Sequence, residues 1–106
     1  MSSDEQAFDA VADRELHALE KALDDVDGLE VDLQSGVLTL EFSDGVKYVV
    51  NSHRAARQIW MAAERSAWHF DHAADGRWTA SKSGEELWAT LQGALGRKLG
   101  RSLSLR

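Results

Sequence analysis

The sequence contains no cysteine among its 106 residues. This absence excludes disulfides, thiolate catalysis, and zinc or iron-sulfur sites with cysteine ligands. Any bound metal must therefore be held by oxygen or imidazole ligands. The chain also has no hydrophobic window long enough to span a bilayer, and residues 1–5 lack the basic and apolar segments of a signal peptide. We therefore expect a cytoplasmic protein.

Recognisable catalytic motifs are absent from the sequence as well. We find no Ser/His/Asp or Cys/His nucleophile set, no glycine-rich phosphate loop and no EF-hand pattern. His53, His69 and His72 show no spacing that would single out a catalytic base. The expectation is a protein that is not an enzyme.

The length and composition suit one compact folded domain over residues 1–106, since 43% of the residues are hydrophobic and 28% are charged. The charge is unevenly distributed along this chain. Residues 1–32 contain eleven carboxylates and two bases, whereas residues 33–106 contain seven carboxylates and ten bases. An acidic end of this kind repels nucleic acid and anionic membranes and attracts cations or basic proteins.

Two helices are predicted from hydrophobic periodicity, one near each end of the chain. The second helix is predicted from Ser83, where Ser-x-x-Glu has the form of a capping box, to about Leu99, and Gly100 is expected to end it. The first helix is predicted from about Asp4 to Asp25 by an apolar stripe with three- and four-residue spacing: Phe8, Ala12, Leu16, Leu19, Leu23 and Val26.

Six strands are predicted between the helices from alternating or β-branched segments separated by turn residues. The fourth segment also fits a helix, because alanines lie on both sides of it. A run of strands with a helix at each end predicts an α+β fold, a two-layer sandwich with both helices on one face of an antiparallel sheet of five to six strands. The predicted strands are residues 29–33, 37–42, 46–51, 57–62, 68–71 and 77–80.

An acidic edge is predicted beside the apolar stripe of the first helix. Like charges at three- and four-residue spacing cost a helix about 0.2–0.5 kcal/mol per pair, so this arrangement works against stability. Carboxylates near the helix C-terminus also oppose the helix dipole. The edge is obtained by moving each stripe position forward by one residue: Asp9, Asp13, His17, Glu20, Asp24 and Asp27.

Six of the acidic side chains form the candidate metal site. Hard oxygen ligands suit ferrous or ferric iron, manganese, calcium or magnesium, and the lack of an ordered ligand loop predicts modest affinity. The alternative is a solvated acidic face that only keeps the protein soluble. The candidate ligands are Glu20, Asp24, Asp25, Asp27, Glu30 and Asp32.

Trp60 is the candidate anchor for a protein partner. If the fourth strand places Ile59 and Met61 against the helices, Gln58 and Trp60 lie on the open face of the sheet. Asn51 on the third strand would then join them in a polar patch, and tryptophan is enriched at interface hot spots. The alternative register buries Trp60 in the core.

Several short motifs occur in a fixed order along nearly the whole chain. They are LDDVD at 23–27, GVLTLEF at 36–42, DGVKYVVN at 44–51, QIW at 58–60, HFD at 69–71, Trp78 and SGE at 83–85. The most specific part is Asn-x(6)-Gln-Ile-Trp, from Asn51 to Trp60. Together these motifs resemble the bacterial frataxin family of the CyaY type.

The resemblance implies a function as well as the α-β sandwich. It implies weak binding of ferrous and ferric iron by an acidic ridge, which here corresponds to the six candidate ligands. It also implies that this ridge contacts a basic surface of the cysteine desulfurase, and that the sheet face with Asn51, Gln58 and Trp60 docks partners such as the iron-sulfur scaffold protein. Two departures are a loop without proline, where Ala55 stands in its place, and Lys21 within the ridge.

Three functional hypotheses follow from the residues and the resemblance. The first is an iron-binding accessory protein of iron-sulfur cluster assembly, monomeric unless iron drives oligomerisation, which regulates or supplies iron to the desulfurase and scaffold. The second is an acidic interaction module that recognises a basic partner without metal. A ferroxidase is disfavoured, because no buried ligand set is evident.

Overall fold

The fold is an antiparallel sheet of six strands, in the order β1-β2-β3-β4-β5-β6, with two helices on one face. The structure, a computed structural model, describes residues 3–105. It confirms the predicted α+β sandwich. The elements are α1 Ser3–Leu23, β1 Leu29–Gln34, β2 Val37–Phe42, β3 Lys47–His53, β4 Gln58–Ala63, β5 Ser66–His72, β6 Trp78–Thr79 and α2 Leu87–Leu99.

The core lies between the helices and the inner face of the sheet. The α1 stripe is buried from Phe8 to Leu23, as its spacing predicts, and α2 contributes Leu87, Leu91 and Leu95. On the sheet, alternate strand residues enter this core, among them Ile59, which is fully buried. Every strand therefore turns its other residues to the open face.

The fourth predicted segment is a strand and not a helix. In β4, Ile59 and Met61 are 0% and 1% exposed, whereas Gln58 and Trp60 are half-buried on the opposite face. The predicted register of Trp60 is therefore confirmed. Strand lengths differ from the prediction at several ends: β3 continues to His53 and β6 is reduced to two residues.

The first helix ends at Leu23, two residues before the predicted end at Asp25. The amide of Asp24 then donates to the carbonyl of Lys21, and that of Val26 to the carbonyl of Leu23, and both bonds have the three-residue spacing of a turn. Asp24 and Asp25 would place two negative charges on the negative end of the helix dipole, which explains why helix does not continue through them.

The second helix begins at Leu87, and the predicted capping box at Ser83 is wrong. Gly84 has a positive φ of 76°, which belongs to the turn that precedes the helix. The cap is Glu86, whose carboxylate accepts hydrogen bonds from the amides of Trp88 and Ala89. Gly100 ends α2 in the left-handed conformation, as predicted. Neither helix in residues 3–105 is long and apolar enough to cross a membrane.

Candidate functional site

The candidate metal ligands surround the junction between α1 and β1. Glu20 lies on the last turns of α1, but Asp24 and Asp27 lie in the turn after it, which corrects the prediction that the whole edge is helical. The side chain of Glu20 is half-buried and the other five are exposed. We call this set the acidic patch: Glu20, Asp24, Asp25, Asp27, Glu30 and Asp32.

The carboxylates on the N-terminal half of the predicted edge are already paired. Asp9 forms an ion pair with Arg54 from the turn after β3, and Asp13 contacts His17 one helical turn away. Within residues 3–105, no carboxylate of the acidic patch forms a salt bridge, and Lys21 does not pair with any of them. The carboxylates without a salt bridge are therefore concentrated at the α1–β1 junction, where the Arg101 guanidinium donates to the backbone carbonyl of Asp27 at 2.7 Å and not to its carboxylate.

The pKa of His17 is raised by its position on α1. Its Nδ1 donates to the carbonyl oxygen of Asp13 at 2.9 Å and lies 3.5 Å from Oδ2 of the same residue. The hydrogen bond to this carbonyl, followed by the charge of Asp13, raises the pKa of His17 above its ordinary value of 6.5. The Nδ1 that donates to this carbonyl is not available to a metal ion, and the raised pKa favours the protonated form, which does not bind metal.

We expect the pKa of His17 to be above 6.5 in the folded protein. In Asp13→Ala this pKa should fall part of the way toward 6.5, because the variant removes the carboxylate but keeps the backbone carbonyl. Because this pKa is raised on folding, the associated stability is fully present below the unfolded pKa and is lost as pH rises through the folded one. Titration of the imidazole Cε1–H signal by NMR measures both values. A pKa of 6.5 or lower in the wild-type protein would contradict the geometry.

The acidic patch is not a preformed chelating site. In the part of the chain from residue 3 to residue 105, no three His, Asp or Glu side chains converge closely enough to hold a metal ion. Glu41 adds to the acidity, because it lies directly opposite Glu30 in the β1–β2 pair, where like charges are destabilising. Sequence spacing alone did not identify Glu41, since the prediction needs the strand register.

The open face of the sheet carries the predicted partner-binding residues in two neighbouring rows, with Asn51 and Trp60 in one and Gln58 in the other. Val37, Asn51, Trp60 and His69 lie opposite one another across β2, β3, β4 and β5. Val37 is 41% exposed, which makes it an apolar surface residue at one end of this row. The structure therefore brings Asn51, Gln58 and Trp60 together, as their strand positions predict.

The indole of Trp60 is stacked between two imidazoles. Its ring centroid is 3.9 Å from that of His53 and 4.2 Å from that of His69, with interplanar angles of 16° and 14°. Two rings cannot occupy one face at these distances, so the imidazoles cover opposite faces of the indole. We call this arrangement the aromatic stack. Trp60 therefore presents an edge to solvent and not a free face.

A chain of hydrogen bonds also orients Trp60. The indole Nε1 donates to Oε1 of Gln58 at 2.8 Å, and Nε2 of Gln58 donates to Oδ1 of Asp71 at 3.0 Å. Sequence reasoning did not identify His53, His69 or Asp71. The signal that could have found them is the alternation of β5, which places His69 and Asp71 on the same face as Trp60 once the β4–β5 register is known.

Comparison with known proteins identifies the family. Residues 1–101 match the sequence profile of the frataxin-like domain. The chain belongs to the frataxin-like family. One curated relative, the iron-sulfur cluster assembly protein CyaY of Ralstonia nicotianae, is 42% identical over 92 residues, which cover 82% of this chain and 80% of the relative.

Solved frataxins share this fold. The frataxin of Psychromonas ingrahamii superposes with a TM-score of 0.88 at 23% identity, over 96% of this chain and 97% of its own. A trimeric frataxin of the yeast Saccharomyces cerevisiae, solved in complex with ferrous iron, superposes with a TM-score of 0.61 at 26% identity, over 95% of this chain and 89% of its own. The first of these likenesses supports the fold alone.

Proposed function

We propose that this frataxin-like chain, as one domain over residues 1–106, is an accessory protein of iron-sulfur cluster assembly. It binds ferrous or ferric iron weakly through the acidic patch and docks onto the cysteine desulfurase and the scaffold protein. There it regulates the activity of this complex or supplies it with iron. It is a cytoplasmic protein without catalysis of its own.

The observation that carries this proposal is the unneutralised charge at the α1–β1 junction. Six carboxylates lie there without a salt bridge, although bases such as Arg54 and Lys98 pair with acids elsewhere on the described surface. Exposed oxygen ligands of this kind bind hard cations with low selectivity. The name of the relative from Ralstonia and the ferrous complex of the yeast frataxin support iron and cluster assembly as the context.

The open face of the sheet is the second part of the proposed interface. Glu30 and Asp32 point to this face from β1. The row that contains Trp60 reaches β1 at Gln34, two residues after Asp32, so the acidic patch and Trp60 lie on the same face. A basic partner surface can therefore contact the patch while another region of the same complex contacts the edge of Trp60. We propose docking as a monomer, with neither nucleic acid nor membrane as a partner.

A second candidate function is favoured by one observation. Since no chelating group of three ligands is formed within residues 3–105, the acidic patch could recognise a basic protein surface without any metal. In that case the carboxylates act only through long-range attraction, which salt weakens. The two candidates differ in whether a cation occupies the patch at physiological concentration.

Paramagnetic broadening of amide NMR signals separates the two candidates. We expect Mn²⁺, or anaerobic Fe²⁺, to broaden the signals of Asp24, Asp27 and Glu30 first, because relaxation falls steeply with distance from the ion. The Asp75 turn serves as an internal control, since its carboxylate is paired with Arg77 at 3.0 Å.

Asp24→Asn with Asp27→Asn is the matched variant, because it keeps the side-chain shape and removes the charge. We expect it to abolish the selective broadening. Broadening that is uniform over all exposed acids, or that persists unchanged in this variant, would favour the metal-independent module.

A further inference from the structure

We infer that Asp71 is a positioning residue of the docking face, which acts through Gln58 to fix the orientation of Trp60. This inference rests on the proposed function, because it assigns a role within the proposed docking surface. Asp71 and Gln58 are directly opposite in the β4–β5 pair, and both side chains are half-buried on the open face. Asp71 on β5 therefore holds Gln58, the residue on β4 that hydrogen-bonds to the indole of Trp60.

Only one orientation of the Gln58 side-chain amide allows it to hydrogen-bond to both Asp71 and Trp60. An ionised carboxylate accepts and cannot donate, whereas the indole nitrogen donates and cannot accept. The amide of Gln58 must therefore turn its NH₂ group toward Asp71 and its oxygen toward Trp60, as the distances of 3.0 and 2.8 Å show. Without the carboxylate, the amide is free to rotate and present its nitrogen to the indole, where no hydrogen bond is possible.

The hydrogen bonds and the aromatic stack restrain different motions of the indole. His53 and His69 cover its two faces and fix the plane of the ring. The bond to Gln58 fixes which edge of the ring lies toward the sheet, and so which edge remains for a partner. An anchor held in one orientation binds more tightly, because less side-chain freedom is lost on docking.

The first test is spectroscopic and needs no partner. In Asp71→Ala, we expect the indole N–H signal of Trp60 to move upfield and to exchange faster with water, since its hydrogen bond is weakened. The signal is assigned by its loss in Trp60→Phe. Asp71→Asn keeps an oxygen acceptor and is expected to restore most of the wild-type shift. Asp75→Ala, which removes a carboxylate from the turn after β5, is the matched control and should leave the signal unchanged.

The second test measures docking onto the desulfurase–scaffold complex. We expect about three- to tenfold weaker binding for Asp71→Ala, the worth of one side-chain hydrogen bond, with rescue by Asp71→Asn and no change for Asp75→Ala. An unchanged indole signal in Asp71→Ala would overturn the inference. So would unchanged docking of Asp71→Ala where Trp60→Ala weakens binding. If Trp60→Ala itself docks normally, the proposed docking face is wrong, while the indole signal separately decides whether Asp71 positions Trp60.

Discussion

Replacing Trp78 with alanine is expected to lower the free energy of unfolding by about 3–5 kcal/mol, the range for large aromatic residues removed from a core. Trp78 is 1% exposed although β6 has only two residues. Its ring makes a T-shaped contact with Phe8 from α1, with centroids 5.9 Å apart, and stacks on His72 with centroids 4.7 Å apart. The substitution therefore removes the contact between the last strand and the first helix, and it leaves a large cavity.

Chemical denaturation followed by far-UV circular dichroism measures this loss, because tryptophan fluorescence would change with the substitution itself. Trp60→Ala is the matched control, since it removes the same side chain from the open face. We expect it to cost no more than about 1–2 kcal/mol, for two ring contacts and one hydrogen bond. Equal losses for the two variants would show that Trp60 belongs to the core and that the assignment of the two faces is wrong.

Most of the helices and strands could be predicted, because the hydrophobic periodicity of the sequence matches the faces that are buried in the fold. The α1 stripe predicts the buried helix face. The turns Asp44-Gly45 and Asp75-Gly76 mark the β2–β3 and β5–β6 hairpins, and their glycines have φ of 88° and 89°. The alternation at Ile59 and Met61 outweighed the helix propensity of the neighbouring alanines. Burial of a strand face is a tertiary effect, and intrinsic propensity does not override it.

The ends of the helices were predicted less well, because several local motifs compete for the same residues. Ser83 has the right spacing for a cap, but its hydroxyl accepts from the amide of Glu85 within a turn. The amide of Ala80 donates to the carbonyl of Glu85 across the same turn, and Glu86 is extended, so the helix begins only at Leu87. The residue at which α2 begins depends on where β6 ends, and a four-residue capping motif does not contain that information.

The candidate site shows the same division between local and non-local information. Helical spacing predicted the position of the acidic side chains up to Glu20 on one edge of α1. Strand alternation predicted that Glu30 and Asp32 lie on the same face of β1. The aromatic stack could not be predicted, because His53, Trp60 and His69 come from three strands whose register is set by the hairpins between them. For the same reason Asp71 was not recognised as a partner of Gln58.

Reversing two charges in the acidic patch, Asp24→Lys with Asp27→Lys, is expected to weaken iron binding and to reduce affinity for the desulfurase at least about tenfold at low salt. Both side chains are exposed in the turn after α1 and have no salt bridge within the described residues. The substitutions replace attraction of a basic surface by repulsion. The wild-type interaction should weaken as ionic strength rises, since the screening length is about 8 Å at physiological salt.

The same double substitution is not expected to destabilise the fold. Lysine at residue 24 follows the end of α1, where positive charge is favourable to the helix dipole, and it also relieves repulsion within the acidic patch. We therefore expect unfolding free energy to be unchanged or slightly higher while binding falls. Calorimetry with iron and with the desulfurase, together with denaturation, measures the three quantities.

The charge control for this double variant is Glu64→Lys with Asp75→Lys, which reverses two exposed carboxylates in turns outside the acidic patch. Because these carboxylates are paired with Lys98 at 3.6 Å and Arg77 at 3.0 Å, denaturation of the control must first show that it is folded. It changes the net charge of the protein equally, so normal docking there would show that the location of the charge matters and not the total. Equal weakening in both variants would instead mean that net charge alone drives association. A more stable but poorly docking Asp24→Lys, Asp27→Lys variant would indicate that the chain keeps unfavourable charge at the α1–β1 junction because its partners need it.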